Sequence, residues 1–142
     1  MKNSILTCLA LLFSSFAIAQ RVSEKDVPKI VKSTFLISYP DQTNVEWEKE
    51  KENYEANFTI GKTSHAMLFD SDGNIIETEE EISVKKLPAK ALAYIQKTYK
   101  NKKIKEAAII TDAHGIVTFE AQVTSIDLIF DKQGTYIKST AD

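Results

Sequence analysis

Two hydrophobic periods alternate along the chain. Val27, Ile30, Val31, Thr34 and Phe35 recur at three- and four-residue steps, as do Leu87, Ala91, Leu92, Ile95 and Tyr99, and this spacing predicts two amphipathic helices. Val27-Pro28 and Leu87-Pro88 place a proline where the first helical turn tolerates one. Tyr39-Pro40 predicts the end of the first helix, because the residue before proline is pushed out of the α region. Lys100-Asn101-Lys102-Lys103 predicts the end of the second, with cations at its negative pole.

After each helix the period drops to two. Val45 and Trp47 alternate with Glu46, Glu48 and Glu50, and Tyr54, Ala56, Phe58 and Ile60 alternate with Glu55, Asn57 and Thr59. Downstream, Val117, Phe119, Ala121 and Val123 alternate with Thr118, Glu120 and Gln122, and then Ile126, Leu128 and Phe130 with Asp127, Ile129 and Asp131. The segments between, such as Lys51-Glu52-Asn53, Gly61-Lys62-Thr63-Ser64, Ser71-Asp72-Gly73-Asn74, Ala113-His114-Gly115 and Lys132-Gln133-Gly134, carry residues that accept turn geometry. The hairpin Tyr54 to Asn74 is answered about 65 residues later: Phe119-Glu120-Ala121-Gln122-Val123 matches Tyr54-Glu55-Ala56-Asn57-Phe58. Leu128-Ile129-Phe130-Asp131 with Gly134 matches Met67-Leu68-Phe69-Asp70 with Gly73. The expected fold is α+β: two tandem helix-plus-four-strand repeats, about 23–82 and 83–142, whose antiparallel sheet carries both helices on one face and a wetter opposite face. A 60-residue unit alone buries too little surface to be secure, so the two units are expected to share a core in one domain, 20–142.

The first residues change the picture of where the protein works. Lys2, the apolar run Ile5 to Phe13 and the small-x-small site Ala17-Ile18-Ala19 read as a signal peptide over 1–19, cleaved after Ala19. The expected location is periplasmic or secreted, with no membrane anchor after cleavage, since nothing beyond Gln20 approaches 18 consecutive apolar residues. Cys8, the one cysteine, leaves with that segment, so neither a disulfide nor a thiolate site is expected in the remainder. Charge is uneven: residues 20–82 carry 7 basic and 14 acidic groups, and residues 83–142 carry 10 and 6. An exported, acidic chain with the single arginine Arg21 does not suit nucleic acid.

Candidate chemistry is sparse. Asp70-Ser71-Asp72-Gly73 hints at calcium, but an EF-hand places its glycine five residues after the first aspartate, so a hairpin turn is the expected reading. His65 and His114 are far apart in sequence and lack ligand spacing. No Gly-x-Ser-x-Gly turn or phosphate loop appears, and Glu46, Glu48, Glu50, Glu52 and Glu55 read as the wet row of two strands. No catalytic residue, metal site or cofactor is assigned. The open face is more informative. If Phe69 and Phe130 face the core, Ala66, Leu68 and Ile129 face outward, joined by Ala107 and Ile109 and bordered by Glu55, Asn57, Lys105, Glu120 and Gln122. An apolar patch with a polar rim is a common construction for a protein-binding surface.

The order of these words resembles the PepSY-like proteins, also described as β-lactamase-inhibitor-like. The matching positions are Val27-Pro28, Tyr39-Pro40, Val45-Glu46-Trp47-Glu48, Tyr54-Glu55-Ala56, Phe69-Asp70 and Gly73, then Leu87-Pro88, Tyr99, Phe119-Glu120-Ala121, Phe130-Asp131 and Gly134. The resemblance implies a tandem repeat like that of the β-lactamase inhibitor protein, whose sheet offers a concave face to its enzyme, and kinship with PepSY modules thought to restrain peptidases. The chain departs from that inhibitor in lacking its bracing cysteines, and no inhibitory loop carries over residue by residue. The expected role is a non-enzymatic binding module, an inhibitor or regulator of an extracytoplasmic enzyme such as a peptidase or β-lactamase. A small-ligand or metal carrier using His65, His114 and the acidic rows is the alternative, and a small hydrolase a third.

Overall fold

A computed structural model describes residues 20–141; the signal-peptide segment expected over 1–19 lies outside the described residues. The chain is α+β. A short strand β1 (Gln20–Val22) leads through a 3-10 turn into helix α1 (Lys29–Ser38), followed by strands β2 (Val45–Glu50), β3 (Asn53–Ile60), β4 (Thr63–Phe69) and β5 (Ile75–Glu81). A second 3-10 turn leads into α2 (Ala89–Thr98) and strands β6 (Ile104–Asp112), β7 (Val117–Val123), β8 (Ile126–Asp131) and β9 (Tyr136–Ala141). All nine strands form one sheet in sequence order, each antiparallel to its neighbours.

Both helices start where the prolines predict, with Pro28 and Pro88 as the residues preceding the first helical position, and both end on a tyrosine, Tyr39 or Tyr99. Val31 and Phe35 of α1 are buried against Trp47, Ala56, Phe58, Met67 and Phe69 of β2 to β4. Phe35 is the hub. Its ring meets Trp47 edge-on at 5.6 Å and Phe58 edge-on at 5.0 Å, the arrangement that ring quadrupoles favour. Ala91 and Ile95 of α2 are buried against Ala107, Ala121, Val123, Leu128 and Phe130 of β6 to β8. The buried side chains of the helix layer thus form two clusters, one beneath each helix, and the pairing of β5 with β6 makes the sheet continuous between them.

Both helices lie on the same face. Met67, in the first cluster, pairs with Thr78, which pairs with Thr111; Thr111 shares its face of β6 with Ala107, in the second cluster. The turns that close the sheet are fixed by aspartates. Asp70 Oδ1 accepts from the N–H groups of Asp72 at 3.0 Å and Asn74 at 2.8 Å, and Asp131 Oδ1 accepts from Gln133 at 2.9 Å and Thr135 at 2.7 Å. Asp112 Oδ1 does the same for His114 and Ile116. The Asn74 side chain, donating from Nδ2 to Asp70 Oδ2 at 2.8 Å, together with the backbone bonds holds the Asp70 carboxyl below the usual carboxylate range, and the Thr135 N–H leads the same effect at Asp131; these bonds account for the Asp-x-Asp-Gly string as turn chemistry. Gly73 and Gly134 both have left-handed φ and press on their helices: a Cβ at Gly134 would lie 2.7 Å from Pro88 Cβ and 2.8 Å from the Ala91 nitrogen.

Candidate binding site on the open sheet face

Opposite the helices, the sheet curls around a groove of about 550 Å³. Its lining includes Glu55 of β3, Leu68 of β4, Glu77 and Glu79 of β5, Ile110 of β6, Glu120 of β7, Ile129 of β8 and Lys138 of β9. With strands about 4.8 Å apart, the six steps from β3 to β9 would span roughly 29 Å if the sheet were flat. One groove touched by both strands therefore requires a curved sheet. Register places the side chains across it. Glu55 pairs with Leu68 and Leu68 with Glu77, whereas Ala66 pairs with Glu79 and Glu79 with Ile110. Ala108 pairs with Glu120, Glu120 with Ile129 and Ile129 with Lys138.

Apolar and acidic side chains therefore intermingle. Ile110 and Ile129 are only 4% and 3% exposed although they belong to neither helix-side cluster, so they form a floor beneath the longer side chains. Leu68 is half-buried. The carboxylates pay electrostatically for this placement. Burial pushes Glu77 up to about 7, with repulsion from Glu79, Glu55 and Asp112 adding to it and Lys138 opposing it. Burial likewise pushes Glu79 up to about 6, with Glu55, Asp127 and Glu106 adding. Glu55 is raised by burial too, against a hydrogen bond it accepts from Asn57 Nδ2 at 3.3 Å.

Of the residues expected on this face, Glu55, Asn57, Ala66, Leu68, Glu120, Gln122 and Ile129 lie there by register. Ile129 points as expected but is covered rather than exposed. Ala107 and Ile109 do not lie there. Ala107 is packed in the α2 cluster, and Ile109 pairs with Phe119, which pairs with Phe130 of that cluster. The reason is a β-bulge: Ile104 pairs with Val123 and Glu106 with Gln122, leaving Lys105 unpaired between them. One extra residue reverses the alternation downstream, so Ala108 and Ile110 take the places expected for Ala107 and Ile109. Sequence reasoning also missed Glu77, Glu79 and Lys138; the run Glu77-Thr78-Glu79-Glu80-Glu81 after an apolar hairpin was the available signal. His65 and His114 are not brought together. His65 stacks on Phe58 of the α1 cluster, with ring centroids 5.5 Å apart, while His114 occupies the β6–β7 turn. Among the described residues no three His, Cys, Asp or Glu side chains converge closely enough to hold a metal ion.

A family model described as "Putative beta-lactamase-inhibitor-like, PepSY-like" matches residues 17–77 and 52–138. The chain belongs to this PepSY-like family. A comparison with curated proteins finds no match. Solved structures share the fold. A "putative periplasmic" protein of Bacteroides eggerthii aligns with TM-score 0.73 at 14% identity, covering 81% of this chain and 88% of that one. A DUF2874 family protein of Bacteroides ovatus aligns with TM-score 0.70 at 20% identity over 80% and 86% of the two chains. A BLIP-like protein of Bacteroides fragilis aligns with TM-score 0.64 at 22% identity over 80% and 86%. At these identities the likeness is one of fold. Among the described residues of this PepSY-like chain no helix is long and apolar enough to cross a membrane.

Proposed function

We propose that the chain is an exported, non-enzymatic protein-binding module, built from two copies of one helix-plus-four-strand unit, that receives a partner protein in the groove of its open sheet face. The observation that carries this reading is the groove itself, lined by residues from β2 to β9, floored by Leu68, Ile110 and Ile129 and walled by carboxylates on the side away from both helices. An apolar centre with a polar surround is the anatomy of a recognition surface. Membership of a β-lactamase-inhibitor-like family and the periplasmic description of a fold neighbour support export and a restraining role toward an extracytoplasmic enzyme.

The test is capture from periplasmic and secreted extract on the immobilised protein, beside a Leu68→Arg variant that fills the groove and opposes its charge. A protein retained by the wild type and lost with the variant is then purified and titrated directly. A retained set identical for the two forms refutes the groove as the binding surface.

A further inference from the structure

We propose that the partner enters the groove with a cationic segment, an exposed loop or strand presenting arginine or lysine beside an apolar side chain. This rests on the reading of the groove as a protein-binding surface and adds the chemistry of what fills it. Three features point the same way. Leu68, which is half-buried, lies on one face between Glu55 and Glu77 of its neighbouring strands, and Ile110 lies beside Glu79. An apolar side chain seated at Leu68 therefore brings its neighbours against carboxylates on either side. Second, the carboxylates are spread over β3, β5 and β7 and do not converge on a point, an arrangement that suits several cations on one chain better than a single chelated ion. Third, Glu55, Glu77 and Glu79 repel one another across the floor in the free protein, and Lys138 already relieves part of that repulsion at Glu77. A guanidinium seated between Glu55 and Glu79 would do the same for the remainder, with a planar fork that matches carboxylates bidentately.

Binding of such a segment is linked to protons. A cation favours the ionised carboxylates, so affinity is full above the range in which Glu77 and Glu79 titrate and falls as pH drops through about 7 and about 6. The groups that face these two set the field: Glu55 from β3, Asp112 and Glu106 from β6, Asp127 from β8 and Lys138 from β9. Glu120 of β7 lines the same groove, as do Glu50, Lys51 and Glu52 where β2 turns into β3. Apart from Lys138 and Lys51 all are acidic, so acidification weakens the attraction.

The experiment titrates the protein, as recovered from producing cells, with the peptide acetyl-Leu-Arg-Leu-Arg-Leu-Arg-amide and with its glutamate counterpart, following the methyl resonances of Leu68, Ile110 and Ile129. Expected is a shift of these methyls by the arginine peptide alone, with affinity falling about tenfold from pH 8 to pH 5.5. The same loss is expected in Glu77→Gln/Glu79→Gln at pH 8 and not in Glu24→Gln/Asp26→Asn, which removes equal charge ahead of α1. Four results overturn the inference: equal binding of the glutamate peptide, equal loss in the two double variants, arginine-peptide binding that leaves the groove methyls unmoved, and concentration-dependent methyl shifts without peptide, which give the groove to a second copy. If any of these occurs while Leu68→Arg still abolishes capture, the groove remains the binding surface and only the cationic partner is wrong.

Discussion

Replacing Glu77 by glutamine should stabilise the protein at pH 8 and leave it nearly unchanged at pH 5. In the folded chain the Glu77 carboxyl is pushed up to about 7, from 4.5, chiefly by burial. Between those values the folded state holds a proton that the unfolded state has released, so stability falls as pH rises, and above about 7 the full cost of the buried carboxylate is present. The interval corresponds to about 3 kcal/mol. Glu77 lines an open groove and is only partly buried, so water screening reduces this to roughly 1–2 kcal/mol. For a chain of this size that is a melting shift of roughly 4–8 °C. Thermal melts of the wild type and Glu77→Gln at pH 5, 6, 7 and 8 measure it. The wild type should melt lower at pH 8 than at pH 5, and the variant should be flatter, converging with the wild type at the acid end. A variant no more stable than wild type at pH 8, or a wild-type melting point that rises from pH 5 to pH 8, refutes the account of a strained acidic groove.

Two further comparisons probe the helix side. Gly134→Ala should cost about 3 kcal/mol or more, because the residue has φ +81° and its new Cβ would meet Pro88 Cβ at 2.7 Å and the Ala91 nitrogen at 2.8 Å. Gly61→Ala, with φ +64° and nothing within 4 Å, should cost only about 1 kcal/mol; urea unfolding of the pair separates conformational strain from collision. On α1, Phe35→Ala should cost about 3–5 kcal/mol, while Ile37→Lys, at a position 82% exposed, should stay within about 0.5 kcal/mol by the same assay.

The elements that local chemistry dictates were legible in the sequence. Phe35, Trp47, Phe58 and Phe69 fall into one cluster as their spacings of 3.6 and two require, and the turn residues at Gly73 and Gly134 adopt the positive φ that their place in the hairpin demands. What could not be read was the geometry set by strands remote in sequence. Glu55 belongs to an alternating row that looks wet in isolation, and only the pairing of β3 with β4 and β4 with β5 sets Glu77 two strands away on the same face. Equally, nothing local shows that Ile129 on the open face is nearly as covered as Phe130 behind it. A period of two assigns a side chain to a face; it does not say whether that face is flat.

The places where alternation fails bear on why the face is not flat. Lys105 is skipped in the pairing of β6 with β7, Ile76 in that of β4 with β5 and Ile137 in that of β8 with β9. A bulge adds twist and bends its strand, and two of these three strands bring Glu77, Glu79 and Lys138 into the groove just beyond the extra residue. The bulge at Lys105 that exchanges Ala107 for Ala108 also delivers Ile110 to the floor. The irregularity that defeats a strict reading of the strands is thus part of what curves the sheet and stocks the groove. Carboxylates held there carry a cost in stability that folding alone does not explain, since an uncharged polar residue at position 77 would serve the fold better.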